Sequence, residues 1–406
     1  MTRVVLIGVS TRALAESAAG GGRGVVAADF FGDRDQARVA ESYALGRDLG
    51  LPLTAQGLGA AARRLRAEAV VYGANLENHP AVVADLARDA IVLGNDAEVL
   101  RAVRDWRSLR RFCREAGIPH ADTLFRGEEG TARRGGRWLR KRILSGGGHG
   151  VRPWAGEALD GEHLLQAVAE GRPASASFVA DGRGSRVIGF SEQLVGRPES
   201  GATGFTWCGN VLPFVPDPPD EGRLAAQLAR AAELLTRHYG LRGLNGVDVM
   251  VGRGPDGLPC ARLIEVNPRY CASMELAERA FGIDAYSLHL AALAGRLAEV
   301  SPTASPASGY YGKAVVYARR AITTQCTDGW FERGRRDIPH AGQHVAAGHP
   351  LCTVLARGAD REACLEQLWR RVAAVYGETH SGREDRRERT PHPHHRSHAQ
   401  AGDRHA

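Results

Sequence analysis

The chain is almost without lysine. Of its 53 lysine and arginine residues, only Lys141 and Lys313 are lysines. A bias of the coding genome accounts for such a composition, and the many alanines and glycines fit it. The same bias implies that a surviving lysine can mark a place where a guanidinium does not fit. Long apolar runs are also missing: none approaches the roughly 18–20 residues that a membrane span requires. The opening MTRVVLIGVSTRAL reads as a strand and a turn, without the small-residue cleavage site of a secretion signal. Cysteine is sparse and dispersed, at Cys113, Cys208, Cys260, Cys271, Cys326, Cys352 and Cys364, with no CxxC pair. That spacing argues against a disulfide framework and against a zinc site, and it points to reducing cytoplasm. A net charge of +7 would admit nucleic acid. The arginines, however, are interspersed with acids and not gathered with aromatics into one patch. We therefore expect no nucleic-acid partner and no membrane partner.

At 406 residues, with 43% hydrophobic and 24% charged, the chain is long enough for two or three domains. Residues 1–97 alternate short apolar strands (RVVLIGV, GVVAADF, AEAVVYG, AIVLGND) with helical patterns. This implies a parallel sheet whose working loops lie at the strands' carboxyl ends. The loop GVSTRA after the first strand is not GxGxxG, so no dinucleotide is expected there. Residues 98–300 open with a helical stretch and continue as strands around one long helix, DEGRLAAQLARAAELLTRHYG. A Pro/Ser-rich SPTASPASG linker opens a third region, 301–377, of short β segments and a closing amphipathic helix. From 378 to 406 almost no apolar residue remains, and six of the fifteen histidines gather there. A disordered tail is the plain reading and a metal-binding tail the sharper one.

Two stretches carry chemistry. In WLRKRILSGGGHGV a strand delivers Lys141 beside Ser145 to Gly150, where consecutive glycines let backbone N–H groups converge on an anion. A lysine adds a compact charge for phosphate oxygens. The pattern is not the Walker loop, because no GKS or GKT follows; a simple flexible turn is the alternative. In NGVDVMVGRGPDGLPCARLIEVNPRY, a GPDGLP turn joins two strands. Period two places Glu265 and Asn267 on one face, with Asp248 able to lie across from them. Two carboxylates and an amide oxygen are a hard donor set suited to Mg2+. Arg269 falls on the same side and could hold a phosphoryl group or a carboxylate. Turn capping before Pro268 is the alternative for the E-x-N-P segment.

A lysine with a glycine loop, followed by Asp…Glu-x-Asn-Pro-Arg, resembles the ATP-grasp superfamily over about residues 98–300. The resemblance implies an α/β plus α+β chain. Its parts are a Rossmann-like front domain, a two-subdomain ATP-grasp fold and a small β-rich C-terminal module similar to that of biotin-carboxylase-like members. It implies that Lys141 contacts the α- or β-phosphate and that Ser145, Gly146, Gly147, Gly148, His149 and Gly150 close over the β/γ-phosphates. The backbone of a hinge across Leu165 to Gly171, with Gln166, Ala167, Val168 and Ala169, would meet adenine. Asp248, Glu265 and Asn267 would hold Mg2+ or Mn2+, and Arg269, with Lys141 the other catalytic residue, would steady an acyl phosphate. Two positions depart from the family: Trp106 follows Asp105 where a lysine is usual, with Arg104 nearby, and Gly171-Arg172-Pro173 stands where a ribose-binding acid is expected.

The resemblance implies an ATP-dependent ligase that joins a small carboxylate to an amine, with release of ADP. It is similar to predicted carboligases related to biotin carboxylase, including tyramine–glutamate ligase, some tied to methanofuran- or methanopterin-type cofactor synthesis. Arg12, Glu77, Asn78 and Asn210 are the candidate substrate residues, and a homodimer is the expected assembly. Two alternatives stand beside it: a bicarbonate-using carboxylase, although the chain lacks the Met-Lys biotin attachment pair, and a non-catalytic nucleotide-binding module.

Overall fold

The computed structural model describes residues 2–132, 135–216, 222–298 and 309–381. Most of the expected linker (301–308) and tail (382–406) lies outside them.

The front of the chain forms a five-stranded parallel sheet of β1 (Val4–Gly8), β2 (Val26–Asp29), β3 (Glu41–Ala44), β4 (Ala69–Tyr72) and β5 (Ile91–Val92), in the order β3-β2-β1-β4-β5. The inner strands are the apolar runs of the sequence, because both their faces are covered. The strand β3 was not anticipated, since Glu-Ser-Tyr-Ala at a sheet edge carries no apolar run. Strand order reverses between β1 and β4, so the loops after them open onto one crevice at the strands' carboxyl ends.

A small antiparallel sheet follows: β6 (Thr123–Leu124), β7 (Trp138–Arg142), β8 (Arg152–Pro153) and β9 (His163–Ala167), in the order β6-β9-β7-β8. The chain then crosses at 168–171 into an eight-stranded sheet. Its members are β10 (Arg172–Asp181), β11 (Ser185–Val195), β12 (Trp207–Leu212), β13 (Arg242–Arg253), β14 (Pro259–Asn267) and β15 (Tyr310–Tyr317), with β17 (Arg335–Arg336) and β19 (Pro350–Gly358). Between them, β16 (Ile322–Thr323) pairs with β18 (His344–Val345). The large sheet runs β14-β13-β10-β11-β12-β15-β19-β17. The C-terminal strands thus prolong the central sheet through the β12–β15 pairing.

Alternation divides the large sheet into two unlike faces. Ala174, Ala176, Phe178, Val247 and Val249 pack against Leu224, Leu228, Ala232 and Leu235 of the helix Arg223–Tyr239, whose spacing of three or four forms one apolar stripe. On the other face, Val179 and Leu244 meet Met274 and Ala285 beneath two helices, Met274–Phe281 and Ala285–Leu293. Beyond that patch the second face turns polar. The closing helix continues through Ser381, and Glu378 is ion-paired with Arg335. The helix therefore runs past the boundary expected at 377. Among the described residues no helix is long and apolar enough to cross a membrane.

The front sheet is docked by buried polar contacts. Asn95 donates to Asn245 (2.9 Å) and to the Pro268 carbonyl (3.1 Å), and accepts from the Arg242 N–H (2.7 Å). His289 accepts from the Leu244 N–H at 2.9 Å through Nδ1 and meets the Leu93 carbonyl at 3.1 Å through Nε2. Both contacts suit a neutral ring, and burial lowers its pKa to about 4. Room for the ring exists because residue 243 is glycine at φ +65°; a Cβ there would lie 2.3 Å from Nδ1.

An unfolded histidine titrates near 6.5, and this one only near 4. Its contribution to stability is therefore complete above the unfolded value and is lost as pH falls through that window, by about 3 kcal/mol. Denaturant unfolding at pH 7 and 4.5 should show a smaller loss in His289→Asn than in the unaltered chain; equal losses would contradict the assignment.

Candidate active site

The register of β13 and β14 sets Asp248 directly opposite Glu265 and Gly246 opposite Asn267. The pairing slips immediately after Asp248, so Ile264 bulges from β14. Such a bulge re-aims neighbouring side chains. Two carboxylates thus face each other across a strand pair, an arrangement that repels unless a cation or a proton intervenes. Burial and the opposing Glu265 push Asp248 up to about 8. Burial acts on Glu265 in the same sense, yet nearby Lys141 and Arg104 hold it below the usual carboxylate value.

A hydrogen-bonded chain runs through this pair. Gln193 of β11 donates to Asp248 Oδ1 (2.9 Å), and Asn267 Nδ2 donates to Asp248 Oδ2 (3.1 Å). Arg269 Nη2 donates to Asn267 Oδ1 (3.1 Å), and Arg269 Nε donates to Glu77 (2.8 Å), in the loop after β4. Arg104 closes a second link: it donates to Asn78 Oδ1 (2.8 Å) and to the Val266 carbonyl (3.0 Å), and lies 3.9 Å from Glu265. One oxygen of Glu77, Oε2, is buried without a hydrogen-bond partner among the described residues.

Lys141 comes from the small sheet. It is buried, and its ammonium donates to Gln166 Oε1 at 3.0 Å and lies 5.2 Å from the Trp106 ring centroid. Burial lowers its pKa, while Glu265 and Asp248 act in the opposite sense, which places the cation in the field of both acids. Gln166 also donates to the Ile264 carbonyl at the bulge (3.1 Å), joining the small sheet to the large one. The structure therefore brings Lys141, Gln166, Asp248, Glu265, Asn267, Arg269, Glu77 and Asn78 together.

The glycine loop lies over the start of β12. The Trp207 N–H donates to the Gly147 carbonyl at 3.0 Å. A Cβ on Gly148 would stand 1.8 Å from the Phe205 carbonyl, at a φ of +76°, so only glycine passes there. Ser145 Oγ donates to the Arg142 carbonyl, and His149 is exposed. Ala167 ends β9, and Val168 and Ala169 lie on the crossing between the sheets.

The remaining substrate candidates sit differently. Asn210 is buried on the polar face, accepting from Trp207 Nε1 (3.0 Å) and donating to Ser191 (3.0 Å). Arg12, read as a loop residue, is the first residue of the helix Arg12–Gly20 and is buried. All five of its N–H groups meet Glu16, Glu275 and Asp337. Lys313 Nζ joins the same cluster, 2.6 Å from Glu275, which Arg12 and Lys313 hold well below the usual range against the upward push of burial. Sequence reasoning did not single out Gln193. Its alternation with Ser191 toward the polar face was visible, but its approach to Asp248 depends on strand order.

Oxygen donors that crowd one another fit a divalent cation. Among the described residues no three His, Cys, Asp or Glu side chains gather as a metal cluster. A cation here would depend on the Asn267 amide, ligand phosphate and water beside the two acids.

Residues 106–273 match the sequence model of the ATP-grasp domain family; the chain carries an ATP-grasp domain. No curated protein matches it. It is similar to the biotin carboxylase of Campylobacter jejuni, solved with β,γ-ATP, at 17% identity and a TM-score of 0.66, over 90% of each chain. It also resembles the biotin carboxylase domain of Hydrogenobacter thermophilus 2-oxoglutarate carboxylase, solved with MgADP and bicarbonate (15%, 0.65, covering 90% of this chain and 88% of that one). N5-carboxyaminoimidazole ribonucleotide synthetase from Thermotoga maritima is similar as well (14%, 0.63, 92% and 98%). At these identities the likeness establishes the fold.

Burial and the opposing Glu265 disfavour a charged Asp248 when no cation is bound, so an uncharged side chain of the same shape should leave the fold intact. Asp248→Asn should nevertheless lose the stabilisation that Mg2+ with ADP gives the unaltered chain. Thermal melts with and without MgADP check this, and an undiminished shift in the variant would contradict it.

Proposed function

We propose that the chain is an ATP-dependent ligase that joins a carboxylate to an amine through an acyl phosphate. The observation that carries this reading is that Lys141 of the small sheet lies in the field of Asp248 and Glu265 of the large one, where Asn267 donates to Asp248 and Arg269 to Asn267. Magnesium, held by Asp248, Glu265 and Asn267, would supply charge neutralisation for the transferred phosphoryl group. Lys141 would add a positive charge on the small-sheet side, and the loop from Ser145 to Gly150 would close over the phosphates with its backbone N–H groups. The crossing at Ala167, Val168 and Ala169 is suited to meet adenine through its backbone. Arg269 would hold the acyl phosphate in place while the nucleophile approaches.

The buried, unpartnered oxygen of Glu77 beside Arg269 favours an amine as that nucleophile, because an ammonium or attacking N–H would satisfy it. Asn78 stands next to it, and Asn210 marks the polar face along which the acid would lie. Arg12, wholly engaged by its own acids, would act by holding the front domain rather than by contacting a carboxylate. The front sheet is read as the Rossmann-like companion of the grasp domain. Amide formation of the tyramine–glutamate kind, in methanofuran- or methanopterin-type cofactor assembly, is the finer form of the proposal. So is a homodimer, by analogy with the Hydrogenobacter domain described as a dimer.

A bicarbonate substrate is the second reading, favoured by the likeness to a domain solved with bicarbonate. ADP and phosphate release on adding paired acids and amines separates the two. Release that requires an amine supports the ligase, release that requires only bicarbonate supports the alternative, and no release under either condition leaves a nucleotide-binding module.

Glu265→Ala should lower turnover by about a hundred- to a thousandfold, the scale on which loss of a group stabilising transition-state charge acts. Retained turnover at ordinary Mg2+ would contradict the metal assignment. Lys141→Arg keeps the charge but not the shape, and it should raise the KM for ATP by about tenfold, the cost of roughly 1.4 kcal/mol. An unchanged KM would mean that the lysine has no special place.

A further inference from the structure

The two lysines of this chain are buried against opposite kinds of partner. Lys313 Nζ lies 2.6 Å from a carboxylate, Glu275, so its charge is neutralised within the fold. Lys141 is also buried, but its closest companions are the Gln166 amide oxygen and the indole ring of Trp106. An aromatic face attracts an ammonium through its quadrupole and leaves the net charge intact. A cation held in this way still presents its full charge to a phosphate.

Trp106 is placed for that task by more than hydrophobic packing. It is the first residue of the helix Trp106–Glu115, whose start is fixed by the Asp105 side chain accepting from the N–H groups of Arg107 (2.9 Å) and Ser108 (3.4 Å). Its ring packs with Phe125, Leu164 and Ile143. Arg104 lies over the same ring at 5.8 Å, against 5.2 Å for Lys141. The indole N–H donates to the Ile143 carbonyl at 3.3 Å, two residues before the glycine loop begins. One side chain thus touches the lysine, the arginine beside Glu265 and the root of the loop.

We propose that Trp106 is a positioning residue. Its ring fixes Lys141, which makes no direct ion pair among the described residues, as a cation facing the Asp248–Glu265 pair, and its N–H tethers the root of the loop from Ser145 to Gly150. The inference rests on reading Lys141 as a phosphate contact. It explains a departure from the family pattern: a tryptophan in place of a second lysine contributes by orienting the remaining cations.

The scarcity of lysine makes a direct test practicable, because Lys141 and Lys313 are the only side-chain amines that acetylation can label. Acetylation of the full chain, read residue by residue by mass spectrometry with and without MgADP, reports on Lys141, with Lys313 as an internal control. In Trp106→Leu, Lys141 acetylation should rise at least about threefold with Lys313 unchanged, and the Kd for MgADP should rise about fivefold or more, as loss of a desolvated cation–π contact implies. Trp106→Phe keeps a ring and loses the N–H, so Lys141 acetylation should stay within about twofold of the unaltered chain. Unchanged acetylation and unchanged MgADP affinity in the leucine variant would overturn the proposal. Should both lysines become reactive in that variant, the phenylalanine variant decides. Raised labelling of Lys141 alone in it overturns the ring's role, and labelling like that of the unaltered chain supports it. If MgADP fails to protect Lys141 in the unaltered chain, the phosphate reading fails and the proposal with it. Protection there without any effect of Trp106 overturns the proposal alone.

Discussion

Two carboxylates set opposite each other on adjacent strands govern this structure. Asp248 and Glu265 are held together by the β13–β14 register in a setting where burial and the opposing Glu265 keep Asp248 from ionising at ease. Each surrounding feature answers that conflict. Lys141 and Arg104 bring positive charge, while Gln193 and Asn267 orient Asp248 by donating to it. A site that holds two acids this close against cations is poised for a metal–phosphate complex, in which the metal would favour ionisation of both acids and the phosphates would meet the cations.

That arrangement depends on three separate parts of the chain. The large sheet supplies the acids, the small sheet supplies Lys141, and the loop after β4 of the front sheet supplies Glu77 and Asn78. Gln166 joins the small sheet to the Ile264 bulge, and Arg269 joins β14 to Glu77. Motion of one part against another would therefore be felt at the acids themselves. The polar docking of the front sheet through Asn95 and His289 gives this geometry a rigid back.

The centre of the site was legible in the sequence because it follows from local rules. Period two placed Glu265 and Asn267 on one face, and a glycine run beside an isolated lysine suggested an anion-binding loop. The residues that complete the site were not legible, because their roles arise from long-range register. Gln193 reaches Asp248 only once β11 and β13 flank β10, and Arg104 reaches Glu265 only after the break between two helices. Arg12 was misplaced for the converse reason. A basic residue after a first strand suggests an exposed loop, yet its partners Glu275 and Asp337 lie 263 and 325 residues away. The edge strand β3 escaped notice because nothing covers it tightly enough to demand apolar side chains.

The central claim is that one triphosphate is enclosed between the small-sheet cation and the oxygen donors of the large sheet. A crystal structure of the chain with a non-hydrolysable ATP analogue and Mg2+ tests it most directly. The account predicts phosphate oxygens contacting Lys141 and a metal bound by Asp248, Glu265 and Asn267. Nucleotide bound elsewhere, or phosphates that bypass either group, would contradict it.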